Sequence, residues 1–333
     1  MSASTILVTG GAGFIGSNIA ARLAEDPSLD VVVSDRLRTA DSGKWRNLSK
    51  HPIADFIAPE VMFDWLDANA DHVRAVVHMG AISSTTEVDA DKIIHNNFSL
   101  SRDLYRWCAD HGRRLIYASS AATYGDGGQG FGGLDDIAAL QALRPLNAYG
   151  WSKALFDLFA AREASRGHAP SQWVGLKFFN VYGPNEGHKG GMKSVAAQIW
   201  PQASRGETVH LFKSHREGYA DGGQLRDFVY VRDVADVVLW LLQTERVSGV
   251  FNLGSGQARS FKDMAEAVFR AAGHEPRIEY RDMPEGLREK YQYFTEADMG
   301  RLRQAGYAAP LTSLEAGISN YVQNYLSQPD PYR

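Results

Sequence analysis

The chain has 333 residues, 44% of them hydrophobic and 22% charged, which is enough for one large core or two coupled domains. A formal net charge of −4, with 35 basic against 39 acidic residues, excludes a surface built to neutralise a phosphate backbone, so no nucleic-acid partner is expected. The single cysteine, Cys108, excludes an intramolecular disulfide and a cysteine-based zinc centre, and no metal site is expected.

The N-terminal segment has no basic stretch ahead of its apolar run, and that run is only a strand long. A cytoplasmic protein without a membrane span is the expectation. Thr5–Thr9 (TILVT) reads as the first strand. TGGAGFIGSN then opens a helix over Phe14–Asp26, with Ile15, Ile19 and Leu23 on one face and Pro27 just beyond its end. Val31–Ser34, Ala75–His78, Leu115–Ala118 and Val174–Phe179 read as further short apolar strands, with helices predicted over Lys92–Asp110 and Ala148–Arg166. This alternation predicts an α/β fold, a doubly wound parallel Rossmann sheet. DGGQGFGG (126–133) reads as a loop, either mobile or a plain solvated connection. Beyond about residue 180 the pattern loosens into the glycine-rich NVYGPNEGHKGG, a helix around Lys193–Ser204 and the aperiodic FKSHREGYADGGQ. RDFVYVRDVADVVLWLL restores the strand–helix pattern, a strand ends at FNLGSG, and a last helical region begins near Ser260. The expected division is a dinucleotide-binding domain from 1–180 and 226–256, and a smaller, discontinuous substrate domain from 181–225 and 257–333.

Gly10, Gly13 and Gly16 sit between the first strand and the first helix. In that position the first glycine allows the tight turn and the second lets the backbone approach a pyrophosphate. The third allows close helix packing, and the helix N-terminus offers free N–H groups. Asp35 ends the second strand, where a carboxylate accepts hydrogen bonds from a ribose 2′-hydroxyl and favours NAD. Arg36 follows it, with Arg38 and Lys44 nearby, and a guanidinium there suits the 2′-phosphate of NADP. NADP is the expected cofactor, with NAD the alternative.

Tyr149 is the one tyrosine of 14 with a lysine four residues on, Lys153, and on a helix these share a face. A phenol with a pKa of about 10 needs nearby cations to act as a base at neutral pH. Lys153 and an oxidised nicotinamide ring are expected to supply them. Ser120, at the end of LIYASS, is placed to hydrogen-bond the same substrate oxygen.

With these residues the sequence resembles the extended short-chain dehydrogenase/reductase family of NAD-dependent epimerases and dehydratases, over nearly the whole chain. The resemblance rests on HMGAISSTTE (78–87), NNF (96–98), YASSAATYG (117–125), FFNVYGPNEGHKG (178–190), RDFVYVRDVADV (226–237), FNLGSG and YQYFTEADM (291–299). The Ser-Ser-Thr-Thr-Glu and Gly-His-Lys-Gly runs are similar to the branch that inverts the exocyclic C6 of an ADP-linked heptose, a lipopolysaccharide core precursor. The resemblance implies that Phe14, Ile15, Asp35, Arg36, Lys44, Met79, Gly80, Ala81, Ile82, Ser83, Asn96, Lys153, Val181 and Lys189 line the dinucleotide. It implies Tyr149 and Lys189 as the acid/base pair. Ser83, Asn180, Gly191, Gln198, Phe212, Lys213, Ser214, His215, Arg226 and Tyr291 would face the ADP-sugar, and a homo-oligomer is implied. Three departures stand out: a family lysine falls at Pro59, family Ser and His positions are Gly191 and Gln198, and 213–225 is longer than in some members.

Inversion through a hydride carrier needs oxidation, presentation of the opposite face and return of the hydride. At an exocyclic carbon, rotation about C5–C6 exchanges the faces, and the substrate oxygen then occupies two places. Lys189, in a glycine-flanked loop, is a reasonable second base, or else a phosphate contact. Three other readings compete. A 4,6-dehydratase needs an acid after the catalytic Ser, where Ala121, Ala122 and Thr123 stand here. A 4-epimerase or reductase on another nucleotide sugar is the nearest alternative. A non-catalytic dinucleotide-binding regulator would have no need of the Ser120–Tyr149–Lys153 set.

Overall fold

The computed structural model describes residues 4–84, 87–132, 134, 136–288 and 291–333, so Thr85 and Thr86 of the Ser-Ser-Thr-Thr-Glu run and Gly133 of the 126–133 loop lie outside the described residues. In chain order the strands are β1 (Ser4–Thr9), β2 (Leu29–Ser34), β3 (Asp55–Ile57), β4 (Val73–His78), β5 (Arg114–Ser120), β6 (Gln172–Phe178), β7 (Asn180–Tyr182), β8 (Val209–Phe212), β9 (Leu225–Tyr230), β10 (Gly249–Leu253), β11 (Ala258–Ser260) and β12 (Ile278–Arg281). Seven of them form one parallel sheet in the order β10-β6-β5-β4-β1-β2-β3. Its central strands are buried almost without a break, because helices cover both faces. The doubly wound parallel sheet expected from the sequence is the one observed.

The chain lays strands to one side of β1, then crosses over to β4 and continues to the other side. β1 and β4 are therefore neighbours at a switch point, and the crevice above their carboxyl ends is where such sheets take ligands. The first helix, Phe14–Leu23, packs on the Val231–Gln243 helix, and Arg22 pairs with Asp236 at 2.7 Å across that contact.

The segment 226–256 is shared between layers, which differs from the expected division. β9 pairs with β7 and β11 in a separate three-stranded sheet, while the following helix and β10 serve the large sheet. A second apolar cluster, with Met264, Val268 and Phe269 from the Phe261–Ala272 helix, Ile199 from the Val195–Ala203 helix and Ile318 from the Leu314–Tyr321 helix, packs around this small sheet. The helix expected over 92–110 is interrupted by a π-helical turn at His95–Ser99. No helix among the described residues is long and apolar enough to cross a membrane.

Candidate active site

The glycine turn lies in the switch-point crevice. Gly10 has a φ of 65°, and a Cβ there would stand 2.6 Å from the backbone of Gly80 at the end of β4. Both the turn and the close approach of two backbones therefore demand glycine. A Cβ on Gly16 would collide with the Gly10 carbonyl. Gly13 caps the first helix without offering a side chain, so the leading N–H groups of the helix are left open. This cradle fits the diphosphate of a dinucleotide. Gly10→Ala combines a strained backbone conformation with a clash. We expect it to cost about 2–4 kcal/mol of stability, read as a lowered Tm, and to abolish retention of the dinucleotide.

Asp35 is fully engaged. Its Oδ2 accepts from the Ala12 N–H at 2.9 Å, and its Oδ1 accepts from Lys44 Nζ and the Arg36 N–H, each at 2.6 Å. Lys44 thus neutralises the carboxylate in a largely buried pair. Arg36 turns its guanidinium to Glu60 at 2.6 Å in an exposed pair, beside the Pro59 that stands at the family lysine position.

The Met79–Ser83 segment is held from below. Met79 N–H donates to the Thr9 carbonyl at 3.0 Å, and Asn97 receives the Ile82 N–H at 2.8 Å while donating to the Ile82 carbonyl at 2.9 Å and to Ser152 Oγ at 3.1 Å. Asn97 is fully buried on the π-helical turn, whereas the Asn96 amide bonds the Lys92 carbonyl of its own helix. Sequence reading singled out Asn96 and missed Asn97, since only the helical phase separates two adjacent asparagines. His78 bridges Thr9 Oγ1 at 2.6 Å and Ser101 Oγ at 2.9 Å, and burial depresses it to about 3, so it stays neutral.

Ser120 ends β5, and its hydroxyl accepts from the Ala122 N–H at 3.1 Å. The Ala148–Ser165 helix is capped by Asn147, whose side chain accepts from the Gly150 N–H at 2.8 Å. Its first turn brings Tyr149 into a side-chain hydrogen bond with Ser120, and one turn on, Lys153 is 3% exposed. In the protein alone, burial raises the Tyr149 phenol, opposed by the Ser120 hydrogen bond. Burial also pulls Lys153 down to about 8, opposed by Asp157. In the protein alone, burial therefore outweighs any lowering of the phenol by the neighbouring lysine. Both groups are desolvated together, and the neutral phenol is favoured at Tyr149 until further positive charge arrives.

Lys189 lies in a short helical turn, Gly187–Met192, with its ammonium 5.2 Å from the Phe14 ring at the head of the first helix. Burial lowers its pKa, opposed by Glu186. The loop is pinned at both ends. Glu186, 1% exposed, accepts from Ser194 Oγ at 2.6 Å and from the Tyr321 hydroxyl at 3.0 Å. Gln198 donates to the carbonyls of Gly191 at 3.2 Å and Lys193 at 2.7 Å, and Asn47 reaches His188 at 3.2 Å. Gln198 and Glu186 thus act on the loop itself, and Glu186 was not foreseen.

Among the residues expected to face the ADP-sugar, Arg226 is 7% exposed and sits 5.0 Å from the Tyr291 ring, against which Phe212 and Tyr293 pack edge-on. Tyr219 packs against Tyr293, and Arg216 lies over both rings. His215 accepts from the Met283 N–H at 3.2 Å, while Ser214 N–H donates to Asp221 at 2.8 Å. Arg216, Tyr219 and Tyr293 escaped sequence reading because their partners are remote in the chain. Gln292 bonds the Gly125 carbonyl, tying this aromatic cluster to the turn after Ser120. Lys213 lies 3.6 Å from Asp282, Asn180 opens β7 exposed and Val181 follows it half-buried. Among the described residues no three His, Cys, Asp or Glu side chains group to hold a metal ion.

Similar proteins match this chain along nearly its full length. Residues 6–254 match the NAD dependent epimerase/dehydratase family. An ADP-L-glycero-D-manno-heptose-6-epimerase of Nitratidesulfovibrio vulgaris is 51% identical over 98% of this chain and 99% of its own. One of Fusobacterium nucleatum is 47% identical over 98% and 99%. The crystal structure of the Helicobacter pylori enzyme of that name superposes with a TM-score of 0.80 at 30% identity, covering 97% of this chain and 96% of that one. The Thermus thermophilus UDP-glucose 4-epimerase complex with NAD gives 0.74 at 28% identity, covering 95% and 96%. A glycine cradle at the switch point, a Ser–Tyr–Lys set above it and matches of this extent have one common explanation: the chain belongs to the NAD dependent epimerase/dehydratase family.

Proposed function

We propose that this chain inverts C6 of the heptose in an ADP-sugar, converting ADP-D-glycero-D-manno-heptose to its L-glycero epimer with a bound nicotinamide dinucleotide. The observation that carries the reading is full-length identity of 51% to a relative named for that reaction. The hydrogen-bonded Ser120 and Tyr149, with Lys153 on the same helix face, supply the chemistry.

Gly10, Gly13 and Gly16 would receive the diphosphate, Asp35 with Lys44 the adenosine ribose, and Met79–Ser83 with Lys153 the nicotinamide end. When bound, the dinucleotide supplies the hydride acceptor and donor. Tyr149 takes the C6 hydroxyl proton as the C6–H bond breaks, and Ser120 holds the same oxygen. Lys153 stabilises the phenolate. After rotation about C5–C6, the carbonyl oxygen lies in the second position. Lys189 delivers a proton there as the C–H bond re-forms on the opposite face; one turn leaves Tyr149 protonated and Lys189 neutral, and passage of one proton from Tyr149 to Lys189 through solvent restores both. Arg226 and the aromatic rings of Phe212 and Tyr291 would receive the ADP portion.

For the cofactor we propose NADP. Lys44 already offsets the Asp35 charge that would repel a 2′-phosphate, and Arg36 stands at the surface with only an exposed partner to exchange. Denaturing the purified protein and identifying the released dinucleotide checks this. NADP is expected, and NAD alone would overturn the Lys44–Arg36 reasoning. The reaction itself is tested by incubation with ADP-heptose and resolution of the two C6 epimers. Conversion of a 4-epimeric nucleotide sugar instead would favour the 4-epimerase alternative.

A further inference from the structure

Behind Ser120 and Tyr149 lies a charged cluster inside the sheet–helix interface. Asp157 and Lys177 pair at 2.6 Å with both side chains 0% exposed. Asp157 Oδ2 also accepts from Ser119 Oγ at 2.6 Å. Lys177 donates to Thr123 Oγ1 at 2.7 Å, and Thr123 in turn donates to the Ser120 carbonyl at 2.8 Å. Lys177 is the β6 neighbour of Ser119 in the sheet register, and Asp157 stands on the Ala148–Ser165 helix one turn beyond Lys153, so Tyr149, Lys153 and Asp157 follow one another on one helix face. Two full charges in such a place are costly to desolvate, and an apolar pair would pack there as well.

We propose that the buried Asp157–Lys177 pair positions the catalytic set, fixing the electrostatic field in which Tyr149 and Lys153 exchange a proton and anchoring the end of β5 that carries Ser120. This rests on Tyr149 being the base. Asp157 is an anion that acts on both groups: its charge favours the Lys153 cation and opposes phenolate at Tyr149. Lys177, paired with that carboxylate, offsets the opposition. The other titratable groups facing the cluster stay neutral. Burial raises the Tyr117 phenol, which lies beside Asp157, and the Tyr124 phenol, whose ring is 5.4 Å from Lys177, while His78 near Lys153 is held at about 3.

The sign of the effect separates positioning from mere support. Asp157→Asn removes the opposing charge, and Lys177→Gln leaves it unbalanced. In the pH profile of kcat/KM of the dinucleotide-loaded protein, the acidic limb is expected to move down by about 0.5–1 pH unit in the first variant and up by a similar amount in the second. Limbs that stay at the wild-type position, or that move the same way in both, overturn the proposal even if both rates fall. If Lys177→Gln fails to fold, Asp157→Asn decides alone, since a limb that is unmoved or raised is incompatible with the field described. Tyr149→Phe is measured alongside. Retained turnover there removes the base on which the inference rests, whereas lost turnover with unmoved limbs removes the Asp157–Lys177 role and leaves Tyr149 in place.

Discussion

Tyr149→Phe is expected to lower the rate of epimerisation by at least about 10²-fold, the lower end for loss of a positioned acid/base and about 2.7 kcal/mol of barrier. The substitution deletes one oxygen atom. It leaves the ring in its half-buried place, the Asn147 cap of the helix untouched and Lys153 where it is. What disappears is the proposed acceptor for the C6 hydroxyl proton and the hydrogen bond to Ser120. Loss of that one hydrogen bond costs about 1 kcal/mol of stability, so thermal unfolding should move little while the rate collapses. Binding of the dinucleotide, assigned by the proposed mechanism to the glycine cradle and the Met79–Ser83 segment, should persist. Steady-state rates at the wild-type optimum, together with Tm and bound dinucleotide, check all three parts. A variant with near-normal turnover rules Tyr149 out as the base. The raised phenol of the protein alone adds a further expectation: acid/base competence depends on positive charge arriving with the ligands, so the profile of the loaded protein governs, not that of the empty one.

The parts of this site that could be read in the sequence are those set by neighbouring residues. Glycines at a strand–helix junction and a Tyr–Lys pair four residues apart carry their geometry in their spacing. The large sheet was legible for the same reason, because each central strand is an apolar run between helices. Strand ends were not. Arg114 and Gln172 begin β5 and β6, yet they are polar because they reach the carbonyls that end the Val231–Gln243 helix, with Gln172 Nε2 2.9 Å from Thr244 O and Arg114 Nη1 2.9 Å from Leu242 O. The partner choice of β9 was also hidden. LRDFVY is as buried as a central strand, and the contacts of Phe228 and Tyr230 with the second core accompany its place beside β7 and β11. Lys177 left a trace that went unused, a charge in the middle of VGLKFF, and Asp157 left another, one turn beyond the Tyr–Lys pair. A lone charge in a buried strand asks for a partner, and the topology supplies it from another element.

Lys189→Ala is expected to abolish epimerisation to the same extent as Tyr149→Phe, at least about 10²-fold, while sparing one half-reaction. The hydride leaves from and returns to one fixed nicotinamide face, so C6 must present opposite faces in the two halves of the cycle. Rotation about C5–C6 carries the oxygen several ångströms, beyond the ~2.6–3.2 Å reach of a single hydrogen-bonding side chain. A second proton-carrying group at the other oxygen position resolves the geometry. The surroundings of Lys189 suit that task, since burial lowers its pKa while Glu186 opposes that shift, so the side chain can give a proton as the ammonium and take one as the amine. Glu186, Gln198 and Asn47 brace the ends and one side of its loop, yet no neighbour lies within 4 Å of where side chains on Gly187, Gly190 and Gly191 would begin. The turn is therefore anchored but uncrowded, which leaves room for it to close on a sugar. A dismutation assay with a C6 aldehyde analogue of the ADP-sugar, run with each single variant, checks the division of labour. One of the two variants is expected to keep oxidising or reducing an analogue locked in one C6 configuration, where only its remaining base is used. Full epimerase activity in Lys189→Ala would leave Tyr149 as the single base and reduce Lys189 to a ligand contact beside Phe14.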